Sequence, residues 1–347
     1  MTDFEPPLRL TLDAEALASN WQALNTRSGT AQAGAAVKAN GYGLGARDVA
    51  VRLRDAGCRD FFVAHWGEAA AIADVIPPAW ISVLNGIQAQ DIPHIRALGA
   101  VPVLNTPEQV AMWHAAGGGR CHVMFDSGIN RLGIGPEQMS QCDLRSMDID
   151  LLLSHLASAD VDSAQNNAQQ RLFQEQVAAS GARRLSLANS AGIMLGADYH
   201  YDLTRPGLSL YGGIARPGME AFIKPVARLS ARLLQVRTLS AGTSIGYNAT
   251  HFCRDVTTVG TISIGYADGY LRAFSSKGSA HYGDVALPVL GRVSMDLVTI
   301  DISAAPELRE GDWVDVDYDL PTASALTGLS QYELLTNLGT RFERIWR

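Results

Sequence analysis

The chain has 347 residues, of which 47% are hydrophobic and 18% charged, and its 28 Lys+Arg against 35 Asp+Glu give a net charge of −7. At about 150 residues per domain, this length predicts two domains with sizeable cores. The acidic balance and the lack of a Lys/Arg block exclude nucleic acid as the main partner, because binding to a phosphate backbone requires clustered cations.

The start of the chain lacks a basic segment followed by an apolar core, and no later stretch approaches ~18 uninterrupted apolar residues. We therefore expect a cytoplasmic protein with no membrane partner. The cysteines lie far apart and form no C-x-x-C pair, which predicts free thiols and no metal site. They are Cys58, Cys121, Cys142 and Cys253.

The first 210 residues or so alternate short apolar runs with helix-like segments, which is the pattern of a parallel sheet. Eight strands and the helices between them predict a (β/α)8 TIM-like barrel of the α/β class, with a doubly wound open sheet as the alternative. The predicted strands are Gly34–Ala39, Asp60–His65, Trp80–Asn85, Val101–Asn105, His122–Asp126, Leu151–His155, Leu185–Asn189 and Tyr201–Arg205. The predicted helices are Ala46–Ala56, Trp66–Val75, Pro107–Ala116 and Ser163–Ser180.

The composition changes near Pro225, after which the chain reads as strands separated by glycine turns. This pattern predicts a C-terminal mostly-β domain, with a boundary within residues 212–226. The predicted strands are Ala231–Leu239, Val256–Ile264, Val285–Val293, Leu297–Ile302 and Trp313–Tyr318.

Lys38 lies at the end of the first predicted strand. Lysine is rarely buried without a chemical reason, and a desolvated ammonium loses its proton more easily, so this position favours an amine nucleophile that forms a Schiff base. The alternative is a strand-end lysine whose ammonium reaches solvent. The glycines that follow have G-x-G-x-G spacing, which does not match the dinucleotide fingerprint.

Polar segments follow four of the later predicted strands, namely Asp126–Gly133, His155, Asn189–Gly192 and Arg205–Gly207. In a barrel they would converge on the carboxyl-terminal mouth, where the loops after strands seven and eight commonly hold phosphate. Taken singly, His155 could be an ordinary buried histidine, Arg131 a surface charge and Asn189-Ser190 a helix cap. Together with a Schiff-base lysine, they predict a pyridoxal phosphate pocket.

Two motifs of the second half, Ile264–Tyr270 and Gly291–Asp296, follow β-like runs. Ordinary Gly-Asp turns beside a packed tyrosine are the alternative explanation. The segment Gly242–Gly246 matches G-x-S-x-G, but β-like sequence lies on both sides of it. A nucleophile elbow needs a strand, a sharp turn and a helix, so a serine hydrolase is excluded.

In these motifs the chain resembles the pyridoxal phosphate-dependent alanine racemases over nearly its whole length. The matching segments are Val37–Gly43, Asp126–Gly133, Ser154–Asp160, Ala188–Ala191, Arg205–Gly212, Ile264–Tyr270 and Gly291–Asp296. The resemblance implies a cofactor-binding barrel over residues 11–220 and a β domain over residues 221–347 that includes residues 1–10. It also implies a head-to-tail homodimer with shared active sites, which interconverts L-alanine and D-alanine and supplies D-alanine for peptidoglycan.

By this resemblance, Lys38 would bind the cofactor covalently and act as the base toward D-alanine, while Tyr266 of the partner subunit would act toward L-alanine. Racemisation requires two such bases, because one removes the Cα proton while the other delivers a proton to the opposite face. The resemblance places the cofactor phosphate on Tyr42, Ser190, Gly207, Leu208 and Tyr332.

The resemblance also assigns Arg205 to the pyridine nitrogen. Because arginine keeps its proton, the ring would remain a weaker electron sink, which limits transamination. His155 would link Arg205 to Tyr266, and Arg131 with the backbone N–H of Met295 would hold the substrate carboxylate. One departure is Met124, which stands where many relatives carry a carbamylated lysine that orients this arginine; Asn130 could take over part of that role.

Three other functions are compatible with parts of this sequence. A non-catalytic pyridoxal phosphate-binding protein would lack the β domain, and therefore Tyr266 and Met295. A barrel-type decarboxylase would use a cysteine late in the β domain, whereas the last cysteine is Cys253. A racemase of another small amino acid such as serine stays open, because pocket size cannot be read from the sequence.

Overall fold

The computed structural model describes residues 4–347, apart from the side chain of residue 179. The chain divides into two compact units. One, here called the barrel unit, is Leu17–Lys224, and the other, the β unit, combines the residues up to Ala16 with Pro225–Arg347.

Seven parallel strands of the barrel unit lie side by side in chain order. They are Ala35–Ala36, Phe61–Val63, Ile81–Val83, Val101–Leu104, Cys121–Met124, Ile149–Leu153 and Arg184–Ser186. Most are apolar and buried on both faces, as expected for a parallel sheet covered by helices.

An eighth strand, Leu203–Thr204, connects the two edges of this sheet. It pairs in parallel with Gln32–Ala33, directly before the first strand, and a bridge from Arg205 to Asn189 joins it to the chain after the seventh. The predicted TIM-like barrel is therefore confirmed, with each strand near its predicted place. Seven strands are shorter than predicted, whereas Ile149–Leu153 has the predicted length but begins two residues earlier.

Helices follow most barrel strands, and three of the four predicted helices begin at their predicted residue. The fourth, predicted from Ser163, begins at Ala164 because Ser163 is its N-cap, and Thr106 caps Pro107–Ala115 by accepting the N–H of Gln109 at 3.2 Å. The α-helices of the chain before Pro225 are Ala14–Arg27, Ala46–Ala56, Trp66–Ile72, Ile92–Leu98, Pro107–Ala115, Pro136–Met139 and Ala164–Ser180. Single 3-10 turns lie at Pro78–Trp80, Ala89–Asp91, Gly192–Leu195, Ala197–Tyr199, Leu208–Tyr211 and Met219–Ala221.

The β unit is built on an eight-stranded sheet, which confirms the predicted mostly-β domain. Its longest strand, Ala227–Leu239, pairs antiparallel with Leu8–Leu12, Thr257–Ile262 and Trp313–Val316. The other strands are Ser279–Tyr282, Val285–Pro288, Val298–Asp301 and Glu343–Trp346, with a separate pair, Ser244–Ile245 and His251–Phe252. Its helices are Leu320–Thr327 and Gln331–Thr336, and its 3-10 turns are Tyr247–Ala249, Tyr266–Asp268 and Arg272–Phe274.

The strand predicted at Val285–Val293 ends at Pro288. The ladder becomes a single bridge from Val289 to Ile300, and the chain turns at Gly291, where φ is +73°. Within residues 4–347, no helix has the length and apolar character needed to cross a bilayer.

A network of charged side chains lies at the amino ends of the barrel strands. Asp150 accepts hydrogen bonds from Arg120 at 2.6 Å and from Arg184 at 2.9 Å, and Arg184 also binds Asp60 at 2.8 Å. Burial alone would raise the pKa of Asp150, but the hydrogen bonds and charges of Arg184 and Arg120 hold that pKa well below its usual range. The network thus pairs each partly buried charge with an opposite one.

We expect Asp150→Ala to lower the free energy of unfolding by about 1.5–3 kcal/mol, because it removes the charge-assisted hydrogen bonds to Arg120 and Arg184 while Arg184 keeps its bond to Asp60. Asp148→Ala is the matched control, since its ion pair with Arg183 is about half exposed and should cost about 0–1 kcal/mol. Denaturant titrations measure the free energy of unfolding of both variants. Equal decreases would show that the network around Asp150 contributes no more to stability than an exposed ion pair.

Candidate active site

Lys38 begins a backbone turn of unusual hand and does not lie in a strand. The predicted strand Gly34–Ala39 stops at Ala36, and the four residues after Lys38 are left-handed, with φ of +52°, +53°, +62° and +53° from Ala39 to Tyr42. For residues other than glycine this conformation costs about 1–2 kcal/mol each. Such strain persists only where neighbouring contacts hold it, and it clusters at functional sites.

The half-buried Lys38 side chain is surrounded mainly by positive charge. Burial lowers the pKa of the Lys38 amine, the charges of Arg131 and Arg205 lower it further, and Glu68 opposes them. A lowered pKa makes the neutral amine more accessible, which suits a nucleophile or a base.

Glu68 binds the backbone next to Lys38. One carboxylate oxygen accepts the N–H of Ala39 and the other the N–H of Ala64, each at 2.7 Å. The Glu68 side chain is 16% exposed.

Loops after the first, seventh and eighth strands form a cluster of neutral hydrogen-bond donors. The hydroxyl of Ser190 accepts the N–H groups of Gly207 at 2.9 Å and Ser209 at 3.3 Å. A Cβ at position 207 would lie 2.3 Å from the Tyr42 hydroxyl oxygen, so only glycine allows this approach. Because the Ser190 oxygen already accepts two N–H groups, its own O–H proton can be donated to another acceptor. With the nearby Tyr42 hydroxyl, this arrangement suits an anion such as phosphate.

Arg205 is buried without a carboxylate partner among residues 4–347. Its guanidinium donates to the hydroxyl of Ser186 and to the carbonyl of Ser154, and lies 5.9 Å from the centre of the Phe62 ring. Burial lowers the pKa of Arg205 to about 10, so the side chain remains charged at neutral pH. Its charge is therefore available to a ligand.

His155 is held neutral. Burial and the nearby positive charges of Arg205, Arg131 and Lys38 lower its pKa to about 3. Its carbonyl accepts the side-chain amide of the buried Gln169 at 3.0 Å, which fixes the loop after the sixth strand.

Arg131 lies in an exposed loop that Asp126 shapes. One Asp126 carboxylate oxygen accepts the N–H groups of Gly128, Ile129 and Asn130 at 2.8, 3.0 and 3.1 Å. Met124 is buried beneath this loop, its side chain close to Gly133, and brings no charge to it.

In the β unit, the two predicted motifs lie against each other. The N–H of Tyr266 binds the carbonyl of Ser294 and that of Ala267 the carbonyl of Met295, both at 3.0 Å. A Cβ at position 265 would lie 2.3 Å from the Met295 carbonyl oxygen, so Gly265 permits the close packing that holds Tyr266.

An ion pair between a buried carboxylate and a half-exposed guanidinium fixes the same loops. Asp268, with 0% exposure, binds Arg341 at 2.7 and 2.8 Å, and Arg341 reaches Asp296 at 2.6 Å. The Arg272 guanidinium lies 5.1 Å from the centre of the Tyr266 ring. Tyr332, in the helix Gln331–Thr336, is 45% exposed.

The structure thus gathers one group of the predicted site residues in the barrel unit and another in the β unit. The first group is Lys38, Tyr42, Arg131, His155, Ser190, Arg205, Gly207 and Leu208, and the second is Tyr266, Met295 and Tyr332. Sequence analysis did not single out Glu68, Ser186 or the N–H of Ser209. Glu68 carries a weak signal as an acidic residue in a first helical turn, whereas a backbone donor carries none.

The fold is a parallel barrel in which a lysine of lowered pKa follows the first strand, and a group of loops suited to an anion follows the seventh and eighth strands. These features define a class of barrel proteins that depend on a lysine. The family model for the alanine racemase N-terminal domain matches residues 12–217, and that for the C-terminal domain matches residues 226–346. The chain therefore belongs to the alanine racemase family.

Relatives span the whole chain. It is 39% identical to the biosynthetic alanine racemase of Agrobacterium fabrum over 98% of this chain and 94% of the relative. It is 41% identical to an alanine racemase of Methylobacterium nodulans over 97% and 95%. The crystal structure of alanine racemase from Bartonella henselae with covalently bound pyridoxal phosphate has a TM-score of 0.93 and 33% identity, covering 99% of this chain and 100% of that one.

The lowered pKa of His155 predicts a pH dependence of stability. Because the folded state keeps this histidine neutral down to about pH 3, its stability contribution is complete above the unfolded pKa of about 6.5 and falls as the pH drops below that value. We expect His155→Gln to remove about 1.4 kcal/mol per pH unit from the slope of unfolding free energy between about pH 6 and 4.

Denaturant titrations at several pH values measure this slope. The exposed His94 provides the control substitution, His94→Gln, which should leave the slope near that of the wild type. An unchanged slope in His155→Gln would mean that His155 is not held neutral by the fold.

Proposed function

We propose that this protein is an isomerase that interconverts L-alanine and D-alanine with pyridoxal phosphate as its cofactor. The observation that carries the proposal is the match of residues 12–217 and 226–346 to the two domains of one family, whose named relatives are alanine racemases. The covalently bound pyridoxal phosphate of the Bartonella henselae enzyme supports the cofactor assignment. Supply of D-alanine for peptidoglycan is the role we propose for the product.

The residues of the barrel unit fit this cofactor. Tyr42, Ser190 and the backbone around Gly207 and Leu208 would hold the phosphate, since they present neutral donors. Tyr332 would complete this phosphate site. Lys38 would form the covalent link, because its lowered pKa favours the nucleophilic neutral amine. When bound, pyridoxal phosphate supplies an electron sink that acidifies the Cα proton of the substrate.

Arg205 would face the pyridine nitrogen. It has no carboxylate partner within residues 4–347, and it keeps its own proton at neutral pH. A guanidinium in this place would donate a hydrogen bond without transferring a proton. The pyridine ring would therefore withdraw electrons less strongly, which disfavours transamination.

Two bases on opposite faces of the substrate would move the proton. Lys38 Nζ would take the Cα proton of D-alanine and Tyr266 Oη that of L-alanine, and in each direction the other residue would return a proton to the opposite face. His155, held neutral, would accept a hydrogen bond from Arg205 and connect it to the Tyr266 phenol.

Arg131 and the backbone N–H of Met295 would bind the substrate carboxylate. Asp126 orders the loop of Arg131. Because the apolar Met124 offers no charge to Arg131, the orientation of the arginine would depend on this loop and on Asn130. We also propose a head-to-tail homodimer with shared active sites, in which Tyr266 of one subunit reaches the site of the other. The family resemblance supports this assembly.

Borohydride reduction of the loaded protein tests activity and cofactor together. Protein loaded with pyridoxal phosphate should racemise L-alanine faster than L-serine, and borohydride should abolish activity by fixing the cofactor to Lys38. Peptide mapping of the reduced protein identifies the lysine, and the internal controls are the two other lysines, Lys224 and Lys277. An adduct on either of these, or no D-alanine product, would refute the proposal.

Tyr266→Phe should slow loss of the α-deuterium from L-alanine by about 100-fold or more, since a general base contributes about that much. Loss from D-alanine should fall much less, because Lys38 serves that face. The measurement is deuterium washout by NMR, with Tyr282→Phe as the control in another part of the β unit. Equal suppression for both enantiomers would contradict separate bases.

Mixed dimers test the shared site. Lys38→Ala and Tyr266→Phe homodimers each have two defective sites, whereas a mixed dimer has one doubly altered site and one native site. Random exchange makes about half the dimers mixed and about a quarter of all sites native. If mass spectrometry confirms exchange and activity stays at the parental average, both bases belong to one chain.

A further inference from the structure

Glu68 takes no part in the chemistry proposed above, yet it holds the chain directly beside Lys38. Its two carboxylate oxygens bind the N–H groups of Ala39 and Ala64, each at 2.7 Å. Ala39 follows Lys38, and Ala64 follows the strand Phe61–Val63. One carboxylate therefore ties the end of the second barrel strand to the residue after the lysine.

The turn after Lys38 depends on contacts of this kind. Bonds within the turn run from Gly41 N–H to the Val37 carbonyl at 2.8 Å and from Gly43 N–H to the Ala39 carbonyl at 2.9 Å. They close the turn on itself but do not fix it to the barrel. The bond from Ala39 N–H to Glu68 does, and it acts where the strained left-handed backbone begins.

Glu68 also differs in charge from its surroundings. The groups whose charges act on Lys38 are Arg131, Arg205 and Glu68, and Glu68 is the negative one among them. The neighbours of Lys38 include the neutral His155, and the exposed His65 lies 4.0 Å from the Glu68 carboxylate. Glu68 lies in the first turn of Trp66–Ile72, where a negative charge interacts favourably with the helix dipole.

We propose that Glu68 is a positioning residue for Lys38. Its carboxylate anchors the left-handed turn that sets the direction of the lysine side chain, and its negative charge balances the two guanidiniums around the amine. This inference rests on the proposed function of Lys38. The inference identifies Glu68 as the group that holds the Lys38 amine in place. Through its negative charge, Glu68 also helps this amine retain a proton.

Competitive labelling of Lys38 in the cofactor-free full-length protein tests the charge. Acetic anhydride is applied over a range of pH, and peptide mapping gives the midpoint at which Lys38 becomes reactive. Glu68→Gln should move this midpoint to lower pH, because only positive charges then remain around the amine. Glu68→Asp keeps the charge and should stay close to the wild type.

Asp202→Asn is the matched control for a lost carboxylate, since Asp202 holds one backbone N–H, that of Leu185, at 2.8 Å in the same unit. It should leave the Lys38 midpoint unchanged. A midpoint in folded Glu68→Gln equal to that of the wild type, or an equal shift in Glu68→Asp and Glu68→Gln, would overturn the charge argument.

Hydrogen exchange of peptides that cover residues 38–43 tests the anchor. Because Asp is shorter by one methylene and Gln accepts at one oxygen instead of two, both variants should exchange at least about tenfold faster there, a loss of about 1.4 kcal/mol of local protection. Unchanged exchange would overturn the anchoring role. These results are separate from the borohydride map, in which an adduct away from Lys38 would defeat the proposed function itself.

Discussion

The excess of positive charge at the carboxyl end of the barrel, which Glu68 offsets in part, is the constraint on which the rest of the site depends. Arg205 is buried against neutral acceptors, and its charge and that of Arg131 act on both Lys38 and His155. A buried cation without a counter-ion is costly unless something else meets it. An anionic ligand bound at this end would offset that cost.

The amino end of the same barrel shows the opposite arrangement. There Arg184 and Arg120 meet Asp60 and Asp150 in close pairs, so the charges neutralise one another. The division agrees with the general rule that barrel enzymes react at the carboxyl end of their strands and stabilise themselves at the other end. In the β unit, the pair of Asp268 and Arg341 serves stability beside the loop of Tyr266.

The barrel was predictable because apolar runs and helix caps are local signals. Val101–Leu104 and Ala46–Ala56 lie where periodicity placed them. The left-handed turn was not predictable. Asn40-Gly41 signals a turn, but nothing in Ala39 or Tyr42 indicates positive φ, which the surrounding contacts impose.

The residues of the site were found in the sequence through motif order, while their supports were not. Ser186 and Glu68 matter through partners 19 and 29 positions away, Arg205 and Ala39. Such pairs exist only once the strands are side by side. The short helices Leu320–Thr327 and Gln331–Thr336 escaped prediction because so few turns give little periodicity.

A seam between the eighth strand and Gln32–Ala33 closes the barrel. The seam pairs Leu203 and Thr204 of the eighth strand with Gln32 and Ala33. Three backbone hydrogen bonds cross it, from the N–H groups of Gln32, Gly34 and Ala36 to the carbonyls of Asp202, Thr204 and Pro206. The donors of Tyr42, Ser190 and Gly207 come from the three loops around that seam. A phosphate bound by all three loops would link the two sides of this seam. The free energy of phosphate binding would then add to the stability of the closed barrel.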